Sequence, residues 1–289
     1  VPDLVDADIP QEPEALDCVI PIRDCGEGCR QVTCAGSVSA ALWEAWDVSG
    51  STISYYSRSM EAADGVGLYR KDLSTEVEEK IKGYSSSYIL CQDLAMHDHL
   101  IAYKPVTADD CFIALHVFDT DSMLDETLLC YPESPLEDMI TIKGLDMYGS
   151  NIVWYGKDEG DVLDGTDLFV FDLVLREKRR LTNAESCYNP SIWEGTVACT
   201  GLRDSPDGSL DIILRDLETN TPVNVTTSPG EQDHASLWMQ RLAWTDFRAE
   251  QCADIYWCEL PECNDMPATT DPTCKYMTDV EGRSEEQTS

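Results

Sequence analysis

LAWTDFRAEQCADIYWCEL (residues 242–260) repeats the grammar of IVWYGKDEGDVLDGTDLFVFDL (residues 152–173). In each, an alternating apolar stretch reaches a tryptophan, Trp154 or Trp244, a polar loop rich in Asp follows, and a second alternating stretch closes on an acidic residue before Leu. Period-two alternation broken by turn residues reads as a half-buried strand, a loop and its antiparallel partner.

The same pair recurs five times. Its first strand is TISYYS (52–57), LIAY (100–103), NIVW (151–154), TVAC (196–199) and RLAW (241–244), with anchors Tyr55, Tyr103, Trp154, Cys199 and Trp244 spaced 48, 51, 45 and 45 residues apart. The second strand ends on Asp72, Asp119, Asp172, Asp216 or Glu259, which lie 17, 16, 18, 17 and 15 residues beyond their anchors. A third element, KRRLTN (178–183), VNVTTS (223–228) or KYMTDV (275–280), precedes a short apolar strand such as NPSIW (189–193) or HASLW (234–238). Four strands in about 45–50 residues is the period of a propeller blade. STEVEEKIKG (74–83) has a trace of helical patterning, but its place in the unit predicts a strand. The expected fold is therefore an all-β propeller of four-stranded antiparallel blades, five complete or nearly so. CRQVTC (29–34) followed by SAALW (39–43) resembles the third element and the short strand after it, so either five blades close the ring or further chain supplies a sixth, the expected reading, with the sixth blade partial or missing here. Residues 1–29 read as an acidic, Cys-containing tether and 30–289 as the propeller.

Fifty-five acidic residues against 20 basic ones give a formal net charge of -35, which repels phosphate backbones and anionic lipid and excludes nucleic acid as a natural partner. No apolar run reaches the length of a membrane span. Thirteen cysteines without CxxCH or paired CxxC elements point to disulfides made in an oxidising compartment, hence to an exported protein. The start VPDLVDADIPQEPEALDC is no signal peptide; it reads as the tether left after one, with a lipid anchor upstream of residue 1 as a candidate.

WTDFR with ADIYWCEL, and DLFVFDLVLREKRRLT, resemble the WxDxR, DIYxYDL and RxLT phrases of TolB-like six-bladed propellers of exported bacterial proteins. The resemblance covers about residues 30–289 and is strongest in the last three units. It implies the fold; propellers host binding scaffolds, hydrolases and lyases alike, so function has to come from a site.

No GxSxG, HExxH or P-loop occurs. Arg58, Arg203 and Arg248 recur three or four residues after their anchors and are the candidate ligand-binding residues, although an Arg beside Asp204 or Asp246 more usually braces neighbouring loops. Asp158, Asp161, Asp164 and Asp167, and Asp204, Asp207 and Asp211, cluster near glycines as candidate oxygen donors for Ca²⁺, but neither group has EF-hand spacing and acidic hairpin loops on a very acidic chain are the plainer reading. His97 and His99 flank Asp98 in a turn where no third ligand is evident, which reads as a solvated turn. Cys18, Cys25, Cys29 and Cys34 permit two local bridges in three connectivities, and Cys263 with Cys274 brackets an inserted loop. The expected function is a non-enzymatic, exported propeller that binds a protein or glycan at the cell surface or in the periplasm. Its rival is a carbohydrate-active lyase or hydrolase using channel carboxylates, with calcium.

Overall fold

The computed structural model describes residues 46–57, 67–83, 93–105, 111, 113–132, 140–158, 166–183, 186–202, 208–226, 230–239, 241–247, 254–259 and 275–276. Among these there is no helix, and the strands form five four-stranded antiparallel meanders. Blade one holds β1 (Trp46–Ser49), β2 (Thr52–Ser57), β3 (Gly67–Asp72) and β4 (Glu78–Gly83). Blade two holds β5 (Leu94–His97), β6 (Leu100–Tyr103), β7 (Ile113–Asp119) and β8 (Leu124–Tyr131), and blade three β9 (Thr141–Tyr148), β10 (Asn151–Lys157), β11 (Asp167–Asp172) and β12 (Glu177–Arg180). Blade four comprises β13 (Tyr188–Trp193), β14 (Thr196–Gly201), β15 (Asp211–Asp216) and β16 (Pro222–Asn224); blade five comprises β17 (Gln232–Trp238), β18 (Arg241–Asp246), β19 (Asp254–Glu259) and β20 (Lys275–Tyr276). The first strands of successive blades lie against one another, so they form the inner ring of a propeller. The segment 74–83 supplies β4, a strand as its place in the repeat predicts.

Each anchor sits on the second strand, opposite a residue of the third. Tyr55 faces Tyr69, Trp154 faces Phe169 and Trp244 faces Tyr256, with stacked rings 5.5, 5.5 and 5.9 Å apart. Alternation then feeds two interfaces at once. Ile152 and Trp154 pack with Ala95, Ala102 and Leu115 of blade two, while Val153 between them packs with Val197, Cys199 and Ile213 of blade four. Continuous burial of strands two and three follows, because both faces of a blade are covered.

The recurring phrases have local causes. The acidic residue closing strand three caps the hairpin into strand four: Asp216 Oδ1 accepts the amides of Glu218 (3.1 Å) and Thr219 (2.7 Å), and Asp72, Asp119 and Asp172 accept in the same way. The Thr of the third element closes strand three at its other end. Thr182 Oγ1 donates to Asp167 (2.9 Å) and accepts the Leu168 amide (2.8 Å); Thr226 does the same for Asp211 (3.1 Å) and Ile212 (2.8 Å). Asp216→Ala is expected to lower stability by about 1 kcal/mol, the worth of one net hydrogen bond, and Asp216→Asn by much less. Urea unfolding of both checks this; equal losses would mean that capping is not what the position does.

Candidate functional site

In a meander, the loop from strand one to two and that from strand three to four lie at the same end of the blade. The described turns therefore form one rim. The strand one–two loops contain two residues, and the first of them is left-handed in every blade: Gly50 (φ 58), Asp98 (φ 52), Gly149 (φ 58), Glu194 (φ 51) and Met239 (φ 47). A backbone bond ties each such loop to the neighbouring hairpin in four blades: Leu73 to Ser51 (2.7 Å), Thr120 to His99 (2.8 Å), Leu173 to Ser150 (2.8 Å) and Leu217 to Gly195 (2.7 Å).

The rim is apolar and aromatic on its exposed side. At the last residue of the inner strands stand His97, Tyr148, Trp193 and Trp238; ring centroids are 4.4 Å apart for His97 and Tyr148 and 4.5 Å apart for Tyr148 and Trp193, and Trp238 is 56% exposed. Outside this arc, the hairpin tips of blades one to three expose Leu73 and Val77, Met123 and Leu124, and Val174 and Leu175. Asp98, Glu194 and Glu218 are exposed among them.

Below the arc, side chains staple the inner strands, which share no ladder. Asp47 accepts the Met96 amide (2.6 Å) from blade two, Asp146 the Ile192 amide (2.7 Å) from blade four and Ser191 the Leu237 amide (3.0 Å) from blade five. The other oxygens of Asp47 and Asp146 accept the next amide of their own strand, Val48 and Met147, each at 2.7 Å. Burial pushes the Asp47 carboxyl up from its ordinary value. Asp146 rises to about 6 through burial, reinforced by the charge of Asp47, with the Ile192 amide as the chief opposing effect.

Two further polar clusters brace neighbouring blades. Asp125 takes Tyr103 Oη at 2.8 Å, His116 Nδ1 at 3.3 Å and Lys82 of blade one. Burial alone would raise its carboxyl, but the bonds from His116, Lys82 and Tyr103 outweigh it and hold it at about 2. Thr127 Oγ1 stands 3.4 Å from His116 Nε2, in the order of a nucleophile, base and acid. The carboxylate is already shared with a lysine and a phenol, so the group serves as a strut. Lys178 likewise joins Asp158 (2.6 Å) to Tyr131 of blade two (3.0 Å).

Of the residues singled out from sequence, Arg58, Arg203 and Arg248 lie outside the described residues, as do Asp161, Asp164, Asp204 and Asp207 and Cys18, Cys25, Cys29, Cys34, Cys263 and Cys274. The remaining members of the two acidic loops meet protein donors: Asp158 the Lys178 ammonium, Asp167 the Thr182 hydroxyl and the Arg180 guanidinium (3.2 Å), and Asp211 the Thr226 hydroxyl. Disulfides join Cys111 to Cys130 and Cys187 to Cys199, with Cα atoms 5.2 and 5.8 Å apart, and Cys258 is disulfide-bonded too. The aromatic arc and the inner-strand staples were missed from sequence, although both stand at a constant offset, six and eight residues before each anchor.

No protein-family model and no curated protein matches the sequence. Solved structures do: a TolB from Agrobacterium tumefaciens is similar over 76% of this chain and 77% of its own, at 13% identity and a TM-score of 0.54. TolB from Acinetobacter baumannii is similar over 77% of this chain at 13% identity and a TM-score of 0.52. The fold is that of a TolB-like β-propeller. This chain spans about half, 52%, of the length of the Acinetobacter protein. A prolyl endopeptidase structure is similar over 75% of this chain and 33% of its own, at 11% identity and a TM-score of 0.52. At such identities the likeness carries architecture only. No helix among the described residues is long and apolar enough to cross a membrane.

Proposed function

We propose that this TolB-like propeller is a non-enzymatic, exported binding scaffold whose turn rim engages a protein partner. The observation that carries the reading is the concentration of exposed apolar side chains on one end: the Trp238–Met239 pair, each 56% exposed, beside the aromatic arc and the six apolar residues at the tips of blades one to three. Exposed apolar groups gathered on one face mark docking surfaces, and tryptophan and methionine are favoured there. Backbone strain supports the same reading. Where blades one and three place Gly50 and Gly149, blades four and five place Glu194 and Met239 at positive φ, which costs roughly 1 kcal/mol each for an ordinary side chain. Residues held so against local preference cluster at functional sites.

The inner-strand carboxylates favour the scaffold over a lyase or hydrolase, because both oxygens of Asp47 and of Asp146 are engaged by backbone amides. Charge of -35 selects a partner with a basic border around its apolar centre. The disulfides fit an oxidising compartment, which supports export to the periplasm or cell surface.

The test compares affinity capture from an envelope extract by the natural chain, by Trp238→Ala with Leu175→Ser, and by Phe247→Ser with Ile255→Ser at the opposite end. A protein captured by the natural chain should bind the rim variant at least tenfold more weakly and the opposite-end variant unchanged. Loss in the opposite-end variant alone removes the rim reading, and a retained polysaccharide in place of a protein makes the scaffold a glycan binder.

A further inference from the structure

We infer a binding site for a divalent transition-metal ion of the Zn²⁺ class, formed by His99, Asp119 and Asp121 on the rim of blade two. One ligand atom from each residue lies within 4.8 Å of the other two. They come from two turns. His99 follows β5, Asp119 ends β7 and Asp121 opens the β7–β8 hairpin, and the Thr120 amide holds the turns together by donating to the His99 carbonyl at 2.8 Å.

Comparison within the chain separates this group from the repeat. The same backbone lock is present in blades one, three and four, where the positions of His99 and Asp121 are taken by Ser51 and Ser74, Ser150 and Val174, and Gly195 and Glu218. Three blades build the turn pair without an imidazole, so the fold does not require one. Among the described residues, neither the His99 ring nor the Asp121 carboxylate makes a hydrogen bond. Asp119 is held by the hairpin cap it shares with the other blades: its Oδ1 accepts the Asp121 (2.9 Å) and Ser122 (3.3 Å) amides and its Oδ2 the Ser122 hydroxyl (2.8 Å). Bonds of this kind aim a metal-binding carboxylate.

The donor set decides the ion. Ca²⁺ takes about six to eight oxygens, whereas one imidazole and two carboxylates suit Zn²⁺ with a solvent molecule in the open position. Ligand atoms on a tetrahedral ion with bonds of about 2.0–2.1 Å stand roughly 3.3 Å apart. Rotation of the exposed His99 and Asp121 side chains toward the held Asp119 carboxylate closes the difference. The site is separate from the acidic loops read as calcium ligands, and it stands whether or not the rim binds a protein.

Titration calorimetry with ZnCl₂ on the full chain tests it, against His99→Ser and Asp121→Ser, which install the residues blade one carries at those positions. One equivalent should bind, at least tenfold more weakly in each variant, and a tenfold excess of CaCl₂ should leave it in place. Absence of binding, equal binding by both variants, or displacement by CaCl₂ each overturns the site, the last two assigning the ion to the acidic surface at large.

Discussion

Trp154→Ala is expected to cost the fold about 3–5 kcal/mol, the range for emptying a large aromatic site in a packed interior, whereas Trp238→Ala should change stability by less than about 0.5 kcal/mol. Both tryptophans recur at fixed places in the repeat, and composition alone treats them alike. Trp154 is 2% exposed, stacks on Phe169 and fills the interface with Ala95, Ala102 and Leu115 of the preceding blade. Its neighbours are strands of two different sheets, so the cavity left by alanine cannot close without sliding one blade on the other. Trp238 ends an inner strand with more than half of its surface in water. Trp154→Phe keeps the stacked pair and should lose less than half of what alanine loses. Urea unfolding of the three variants measures the order. If Trp154→Ala costs as little as Trp238→Ala, the interfaces do not carry the anchors, and the assignment of Trp238 to binding loses its contrast.

The propeller was legible because its repeat acts through main-chain periodicity. Alternation on the second and third strands serves two interfaces at once, and the acidic hairpin cap recurs at nearly constant distance from the anchor, so five units could be counted from residues alone. Cys199 shows where letters mislead. It occupies an anchor where other blades have Tyr or Trp, and its bond to Cys187 fills the interface volume an aromatic ring fills elsewhere. That pairing depends on a cysteine just ahead of β13, which no repeat position marks. The site was less legible for a related reason. His97, Tyr148, Trp193 and Trp238 differ in chemistry and resemble unrelated strand ends until register places them on one rim. His99 gains two carboxylate neighbours some 20 residues away only through the lock between turns. The staples are harder still: Asp47, Asp146 and Ser191 share a task but not a residue type, and Ala95 at the same position in blade two has no acceptor to offer.

Asp146→Asn should abolish a pH dependence worth about 3 kcal/mol between pH 4 and pH 8. The carboxyl stands at about 6 in the fold, against an ordinary 3.8, because it is buried beside the charge of Asp47 and the amides of Ile192 and Met147 offset this only in part. A carboxyl raised on folding contributes its full stability below the unfolded value, near pH 4, and loses it as pH rises through 6; each pKa unit is worth about 1.4 kcal/mol. The natural chain therefore carries an ionised, partly desolvated carboxylate at pH 8, whereas asparagine is neutral throughout. Asparagine has one acceptor oxygen for two amides, so it sacrifices a bond of about 1 kcal/mol at every pH. The expected result is a variant less stable than the natural chain at pH 4 and as stable or more so at pH 8. Asp146→Ala, which removes both acceptors from the joint between β9 and β13, should fall below asparagine by about 1 kcal/mol at both pH values. Urea midpoints across the range decide it: parallel curves for the natural chain and asparagine would mean that Asp146 ionises as an ordinary surface carboxylate, and that the joint between blades three and four does not rest on a buried acid.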